Sequence, residues 1–282
     1  MKATLIDGKL ISAQKKAEIK QSADKFENLY GRKVGLAVII VGNDPASAIY
    51  VRNKIKACED CNIKSYSYEL DENSTQKQVE DLIDLLNEQE DVDGILVQVP
   101  LPKHLDEKAL LKRIKVEKDV DGFSAHNVGH LVLGNECLRA CTPAGIIELI
   151  KSTGVDIASK HAVVIGRSNT VGKPIAIMLL ENNATVTICH SKTDNLANYT
   201  SQADIIVCSV GKKGVLTANM VKFGAIVIDV GMNRVDGKLY GDVEFEEVSE
   251  VAGYITPVPG GVGPMTVTML LDNTVKSAYR GK

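Results

Sequence analysis

Apolar residues in this chain fall into two alternating arrangements, short unbroken runs and positions spaced three and four apart. Residues 12–29 show the spaced pattern, with Ala13, Ala17, Ile19, Ala23 and Phe26 on one side of an amphipathic helix. Val34–Val41 is an unbroken run, as expected of a strand buried on both faces. Asn43-Asp44-Pro45 then opens a helix to about Cys61, with the proline suited to a first turn. A strand at Ile63–Leu70, a helix at Thr75–Gln89 and a strand at Gly94–Val99 complete a βαβαβ pattern, whose connections favour a parallel sheet. A helix near Leu105–Ile114, a turn-rich stretch to Leu138 and a helix over Pro143–Ser152 follow. A second series begins near Ala162: a strand, a helix over 172–182, and strands at 184–188, Asp204–Val207, Ala225–Asp229 and Gly253–Ile255. The last helix is expected from about Pro264 to Tyr279.

The turn after the Ala162 strand sharpens this picture. Val163-Val164-Ile165 stops at Gly166, Arg167-Ser168-Asn169-Thr170-Val171 make a polar turn, and Gly172 opens a helical pattern. Unpaired backbone N–H groups and the positive dipole end at such a helix start suit a phosphate. A Walker A loop is excluded, because five residues separate the glycines and Lys173 is followed by Pro174 rather than by a hydroxyl. The GxGxxG fingerprint is not met either, since Ser168 stands where its second glycine would. A βα turn with no ligand stays open on this stretch alone. The next strand ends in Cys189-His190-Ser191-Lys192-Thr193, with no acidic residue to receive a ribose 2′-hydroxyl. A serine and a lysine there, with Arg167 in the turn, lean toward NADP rather than NAD. The expected fold class is therefore α/β: two α/β domains flanking a cleft, the second a Rossmann-like dinucleotide-binding domain. Residues 1–140 form the first domain, 141–263 the second, and the helix at 264–282 crosses back to complete the first.

Composition narrows the classes further. A length of 282 residues allows two medium domains with ample core, and a net charge of −3 offers no field for nucleic acid or an anionic membrane. Aromatic residues are 4% with no tryptophan, which argues against a stacking platform for single strands. Asp7, Gly8 and Lys9 interrupt the N-terminal apolar residues, and no run approaches membrane-spanning length, so a cytoplasmic protein is expected. Cys58-Glu-Asp-Cys61 has no second CxxC, and Gly129 and Gly134-Asn135 break up the set His126, His130, Cys137 and Cys141. No metal is expected, and the cysteines read as reduced structural thiols.

Candidate chemistry in the first domain sits at strand ends and helix starts. Ser47, Tyr50 and Lys54 are three and four apart, on one helical face. A tyrosine can lie over a heteroaromatic ring, and a lysine beside it can move protons if its pKa is lowered; the plain alternative is a solvated lysine. Gln98, before Val99-Pro100-Leu101-Pro102, ends an apolar strand with an amide that needs partners, or it caps the turn. Asp119 and Asp121, within Lys118-Asp119-Val120-Asp121-Gly122, either bind amino and ring N–H groups such as those of a pterin or are ordinary turn residues. Pro257-Val258-Pro259-Gly260-Gly261-Val262-Gly263-Pro264 is a rigid loop able to approach a ligand, or simply the lead into a helix.

Taken in this order, with Thr142-Pro143, Asp229-Val230-Gly231 and the continuation to Met265-Thr266, these stretches resemble the methylenetetrahydrofolate dehydrogenase/cyclohydrolases of the bifunctional bacterial FolD type, over essentially the whole chain. The resemblance implies NADP-dependent oxidation of 5,10-methylenetetrahydrofolate and hydrolysis of the methenyl product to 10-formyltetrahydrofolate. It implies that Tyr50 stacks on the folate, that Lys54 is the acid/base oriented by Gln98, and that Asp121 holds the pterin. Ser47, Pro100, Pro259, Gly260 and Gly261 then line the folate site, and Gly166, Arg167, Ser168, Ser191 and Met232 contact NADP. Family members usually carry isoleucine at the position of Met232, an apolar exchange expected to change little. Members that use NAD can retain the turn arginine, so Arg167 alone does not settle the cofactor. A homodimer formed through the cofactor domain is implied as well. The rival readings are a dehydrogenase without the hydrolase, a shikimate- or glutamate-type dehydrogenase, and a non-catalytic NADP sensor.

Overall fold

The computed structural model describes residues 2–42 and 45–282, with the side chains of residues 45–52 outside the description. In chain order the elements are β1 (Thr4–Leu5), α1 (Gly8–Tyr30), β2 (Gly35–Val41), α2 (Pro45–Asp60), β3 (Lys64–Leu70), α3 (Gln76–Glu88), β4 (Gly94–Val97), α4 (Glu107–Arg113), α5 (Ala125–Leu133) and α6 (Cys141–Lys151). They continue as β5 (His161–Ile165), α7 (Gly172–Glu181), β6 (Thr185–Cys189), α8 (Ala197–Thr200), β7 (Ile205–Cys208), β8 (Ile226–Asp229), β9 (Asn233–Val235), β10 (Lys238–Tyr240), α9 (Phe245–Val248), β11 (Tyr254–Ile255) and α10 (Val262–Arg280).

The chain divides into two compact units. One holds Gln14–His130, Glu136–Cys141 and Val267–Lys282, built on a three-stranded parallel sheet in the order β3-β2-β4. Every residue of the central β2 is buried, which is why its sequence is apolar throughout rather than alternating. One layer of the core joins Ala37, Ile39 and Val97 to Val79, Ile83 and Leu86 of α3 and Leu110 of α4. Burying each such side chain contributes roughly 1.5–3 kcal/mol. Thr75 and Gln78 start α3 with a reciprocal capping box, the Thr75 hydroxyl accepting from Gln78 N at 3.3 Å. Phe26 of α1 meets Tyr279 of α10 edge-on, with ring centroids 5.2 Å apart.

The other unit holds the chain up to Ala13, Leu131–Asn135 and Thr142–Thr266. Its main sheet has six strands, all parallel, in the order β1-β11-β8-β7-β5-β6. Strands β5, β7 and β8 bury Val163, Ile206 and Val227 in one cluster with Val248 and Ile255. Because β5 has β6 on one side and β7 on the other, the order reverses beside β5, where open parallel sheets place their ligands.

Several elements differ from the sequence expectation for identifiable reasons. Helix α1 starts at Gly8 rather than residue 12, because Asp7 Oδ1 accepts from Lys9 N at 2.9 Å and Leu10 N at 3.1 Å and caps it. The stretch read as turns contains α5, whose start is capped by the Ser124 hydroxyl accepting from Asn127 N at 3.2 Å. Strand β1 is two residues long, too short to show a period, and forms because β11 offers it an edge. The β9–β10 hairpin turns through Asp236 and Gly237, both at positive φ, as the Asp-Gly pair demands of a tight hairpin.

Candidate active site

In the three-stranded unit, the Lys54 stem lies one turn before Ala57 and Cys58, which are buried to 2% and 0% exposure. Its Nζ donates to Gln98 Oε1 at 2.8 Å. Gln98 is held from both ends. Its backbone N–H donates to Ile39 O at 2.8 Å, extending the β4 ladder by one residue, and its Nε2 donates to Val99 O at 2.6 Å. With the amide nitrogen engaged, the carbonyl oxygen is left facing the lysine. Burial lowers the Lys54 pKa, and the negative charge of Asp121 partly opposes that shift. Asp121 shows the complementary effect: burial pushes its carboxyl up to about 6, the Lys54 charge pulls it back, and Asp119 adds to the rise.

Asp119 and Asp121, indistinguishable as turn carboxylates in the sequence, have different work. Asp119 is buried and accepts from Gly122 N at 3.1 Å, Ser124 N at 2.7 Å and Asn127 Nδ2 at 2.9 Å, so it builds the turn. Asp121, two residues on, is carried by that turn into the field of Lys54. From α10, Asn273 Nδ2 donates to Val120 O and Arg139 O, both at 2.8 Å, bracing the same segment; sequence patterning gave no sign of this. Tyr50 and Ser47 belong to α2, but their side chains lie outside the described residues. Pro100 is exposed and follows a cis peptide bond. An amine that can shed its proton, a carboxyl that ionises near pH 6 and a fixed amide together suit proton transfer to and from a bound substrate.

In the six-stranded unit, Gly166 ends β5 at φ +131°, and a Cβ there would stand 2.5 Å from both Ser209 O and Ser209 Oγ. Only glycine fits, because the end of β7 presses against the turn. Arg167 and Ser168 are exposed just beyond it. The Ser168 hydroxyl accepts from Val171 N at 3.1 Å and Gly172 N at 3.2 Å, so it caps the start of α7. Gly166 N donates to Cys189 O at 2.9 Å, which sets the ends of β5 and β6 side by side. Exposed Ser191 and Lys192 occupy the turn after β6, and that turn is closed by Thr193 N donating to His190 O at 2.8 Å. Arginine, serine and lysine at adjoining strand ends therefore fit a 2′-phosphate. Met232 follows β8 and is 54% exposed. Pro259, Gly260 and Gly261 form the loop between β11 and α10, with Gly260 at φ +105°. Ser209, which the sequence reading missed, lies at the reversal point beside Gly166; its signal is its place directly after the apolar run of β7.

Among the described residues, no group of three His, Cys, Asp or Glu could hold a metal ion, and no helix is long and apolar enough to cross a membrane. The His126 and His130 rings stack on each other at 4.1 Å. Cys58 and Cys61 are buried, and burial pushes the Cys58 thiol up to about 12.

Comparison with known proteins gives a consistent result. The family profile for the tetrahydrofolate dehydrogenase/cyclohydrolase catalytic domain matches residues 6–121, and the profile for the NAD(P)-binding domain of the same family matches residues 140–282. A protein of Moorella thermoacetica described as bifunctional protein FolD is 53% identical over 281 residues, covering 99% of this chain and 100% of the relative. The crystal structure of the bifunctional FolD methylenetetrahydrofolate dehydrogenase/cyclohydrolase of Campylobacter jejuni superposes with a TM-score of 0.95 at 52% identity, covering 99% of both chains. The Trypanosoma brucei methylenetetrahydrofolate dehydrogenase-cyclohydrolase, complexed with NADP and an inhibitor, gives a TM-score of 0.94 at 40% identity, covering 99% of this chain and 98% of its own.

Proposed function

The chain belongs to the tetrahydrofolate dehydrogenase/cyclohydrolase family, and from that premise we propose how its residues divide the two reactions. The protein is an NADP-dependent methylenetetrahydrofolate dehydrogenase and methenyltetrahydrofolate cyclohydrolase. The single observation that carries the residue assignment is the Lys54–Gln98 bond beside Asp121.

In the hydrolytic step, water bonds through its oxygen to the iminium carbon of the methenyl bridge. One of its protons must leave, and Lys54 takes it because burial lowers the amine's pKa and raises its neutral fraction. The hydroxyl then gives up the second water proton as the bond from that carbon to N5 breaks and N5 gains a proton, leaving the formyl group on N10. Gln98 fixes the direction of the Lys54 amine, and Asp121 receives the donors of the pterin ring. Tyr50 stacks on that ring, and Ser47, Pro100, Pro259, Gly260 and Gly261 complete the folate contacts. For the oxidation, NADP when bound supplies the acceptor for a hydride from the methylene carbon. Gly166 and Ser168 take the phosphates, Arg167 and Ser191 the 2′-phosphate, and Met232 an apolar face. On this reading residues 1–140 with 264–282 form the folate domain and 141–263 the NADP domain, except that β1 (Thr4–Leu5) joins the NADP domain's sheet through β11. The protein works in the cytoplasm as a homodimer formed through the NADP domain, a state that analytical ultracentrifugation would test.

Lys54→Met separates the two steps. Cofactor-free hydrolysis of methenyltetrahydrofolate should fall on the order of 10²-fold or more, while NADP-dependent oxidation continues and methenyl product accumulates. Hydrolysis that survives the substitution, with its pH profile unchanged, would remove Lys54 from the mechanism.

A further inference from the structure

Asp242 lies outside every stretch that pointed to the function, yet it is fully buried in the six-stranded unit. Its Oδ2 accepts from Val210 N at 2.7 Å and Gly211 N at 3.0 Å, and its Oδ1 accepts from Lys212 N and Asn233 Nδ2, both at 2.9 Å. One carboxylate thus closes the loop that follows β7 and ties it to the segment that follows β8. A second buried carboxylate braces the first. Asp229 accepts from Gly231 N and Asp242 N at 2.9 Å and from Val243 N at 3.1 Å. The fit is tight enough that a Cβ on Gly231 would collide with the Asp242 carboxylate, and one on Gly241 with that of Asp229. Charge-assisted bonds from three consecutive N–H groups to one carboxylate leave that loop little freedom.

What the clamp holds gives it meaning. The β7 loop begins at Ser209, the residue packed against Gly166, and the β8 segment carries Met232 between Gly231 and Asn233. We propose that Asp242 is the positioning residue of the NADP site: it fastens the β7 loop to the Met232 segment, so that the edge receiving the cofactor is formed before the cofactor arrives. Such preorganisation raises affinity by removing the ordering cost from the binding step. The inference rests on the assignment of Gly166 and Met232 to NADP.

Asp242→Asn replaces one acceptor oxygen with an amide that faces backbone donors. NADPH binding to the full-length protein, followed by nicotinamide fluorescence, should weaken about tenfold or more. Cofactor-free hydrolysis of methenyltetrahydrofolate should stay within about twofold of the parent. Asn233→Ala, which removes the side-chain tether together with the Nδ2 bond to Gly241 O at 3.0 Å, should weaken NADPH binding severalfold and also spare hydrolysis. If Asp242→Asn does not fold, Asn233→Ala decides by the same two readouts. Unchanged NADPH affinity, or affinity and hydrolysis falling together in Asn233→Ala, overturns the inference. Gly166→Ala tells the two failures apart. Normal NADPH affinity in that variant removes the site assignment and the inference with it. Lost affinity there, with normal affinity in Asp242→Asn, overturns the inference alone.

Discussion

At the scale of single residues, the site trades stability for chemistry at Asp121. Its carboxyl ionises at about 6 in the fold against an ordinary 3.8, so the folded chain holds that proton more tightly than the unfolded chain does. The resulting stabilisation is complete below about pH 4 and is lost as pH rises through 6. Asp121→Asn, a neutral side chain of the same shape, should therefore be more stable than the parent at pH 7.5, on the order of 2 kcal/mol, with no difference left near pH 4. Urea unfolding at the two pH values checks this, and an equal difference at both would show that the carboxyl is not held in its neutral form by burial. Hydrolysis should fall in the same variant. Lys54 titrates in the opposite sense. Burial lowers its pKa, so its neutral fraction, and with it the hydrolysis rate, should rise with pH until the amine is fully deprotonated. The sequence placed Lys54 on a helical face and Gln98 at a strand end; its turn chemistry did not separate Asp119 from Asp121, and only the family resemblance singled out Asp121. Their difference lies in which backbone N–H groups the fold turns toward each of them, and donors of that kind have no side-chain signature.

At the scale of elements, the legible parts were those whose periodicity reflects their own burial. The unbroken run at 34–41 became β2, buried at every position, and the spaced pattern from Pro264 became α10. What stayed hidden depends on a partner distant in sequence. β1 exists through β11, and the clamp on the β7 loop exists through Asp242, some thirty positions later. Helix α10 shows how such a partner acts on the site. Asn273 donates to the buried carbonyl of Val120 and the half-buried carbonyl of Arg139, on either side of the turn that carries Asp121. Asn273→Ala leaves Arg139 O without that donor, at roughly 1–3 kcal/mol when a buried acceptor goes unpaired, and leaves Val120 O with only the weak Cys141 Sγ donor at 3.3 Å. Calorimetry should show a thermal midpoint lower by several degrees. Hydrolysis should drop while NADPH affinity is kept, because the braced turn and the glycine turn belong to different units. A variant with the parent's melting curve and the parent's hydrolysis rate would mean that α10 merely covers the turn.

At the scale of the whole molecule, the chain divides into two units with separate cores, and on the proposed assignment the cofactor is the handle on the six-stranded one. A ligand that binds only the folded chain stabilises it by mass action, about 2.7 kcal/mol at a hundredfold excess over its Kd. For a chain of this length that corresponds to a rise of roughly 5 °C in the thermal midpoint. On the proposed assignment, the exposed Arg167, Ser191 and Lys192 at the ends of β5 and β6 would meet a 2′-phosphate and find nothing equivalent on NAD. NADP should therefore raise the midpoint well above what the same concentration of NAD achieves. Arg167→Ala should close most of that gap by lowering the NADP shift and leaving the NAD shift alone, since on that assignment the group it loses would meet only the extra phosphate. Equal shifts with NADP and NAD in the parent would show that the cluster does not read the 2′-phosphate, and the basis of the preference would then lie elsewhere along the strand ends.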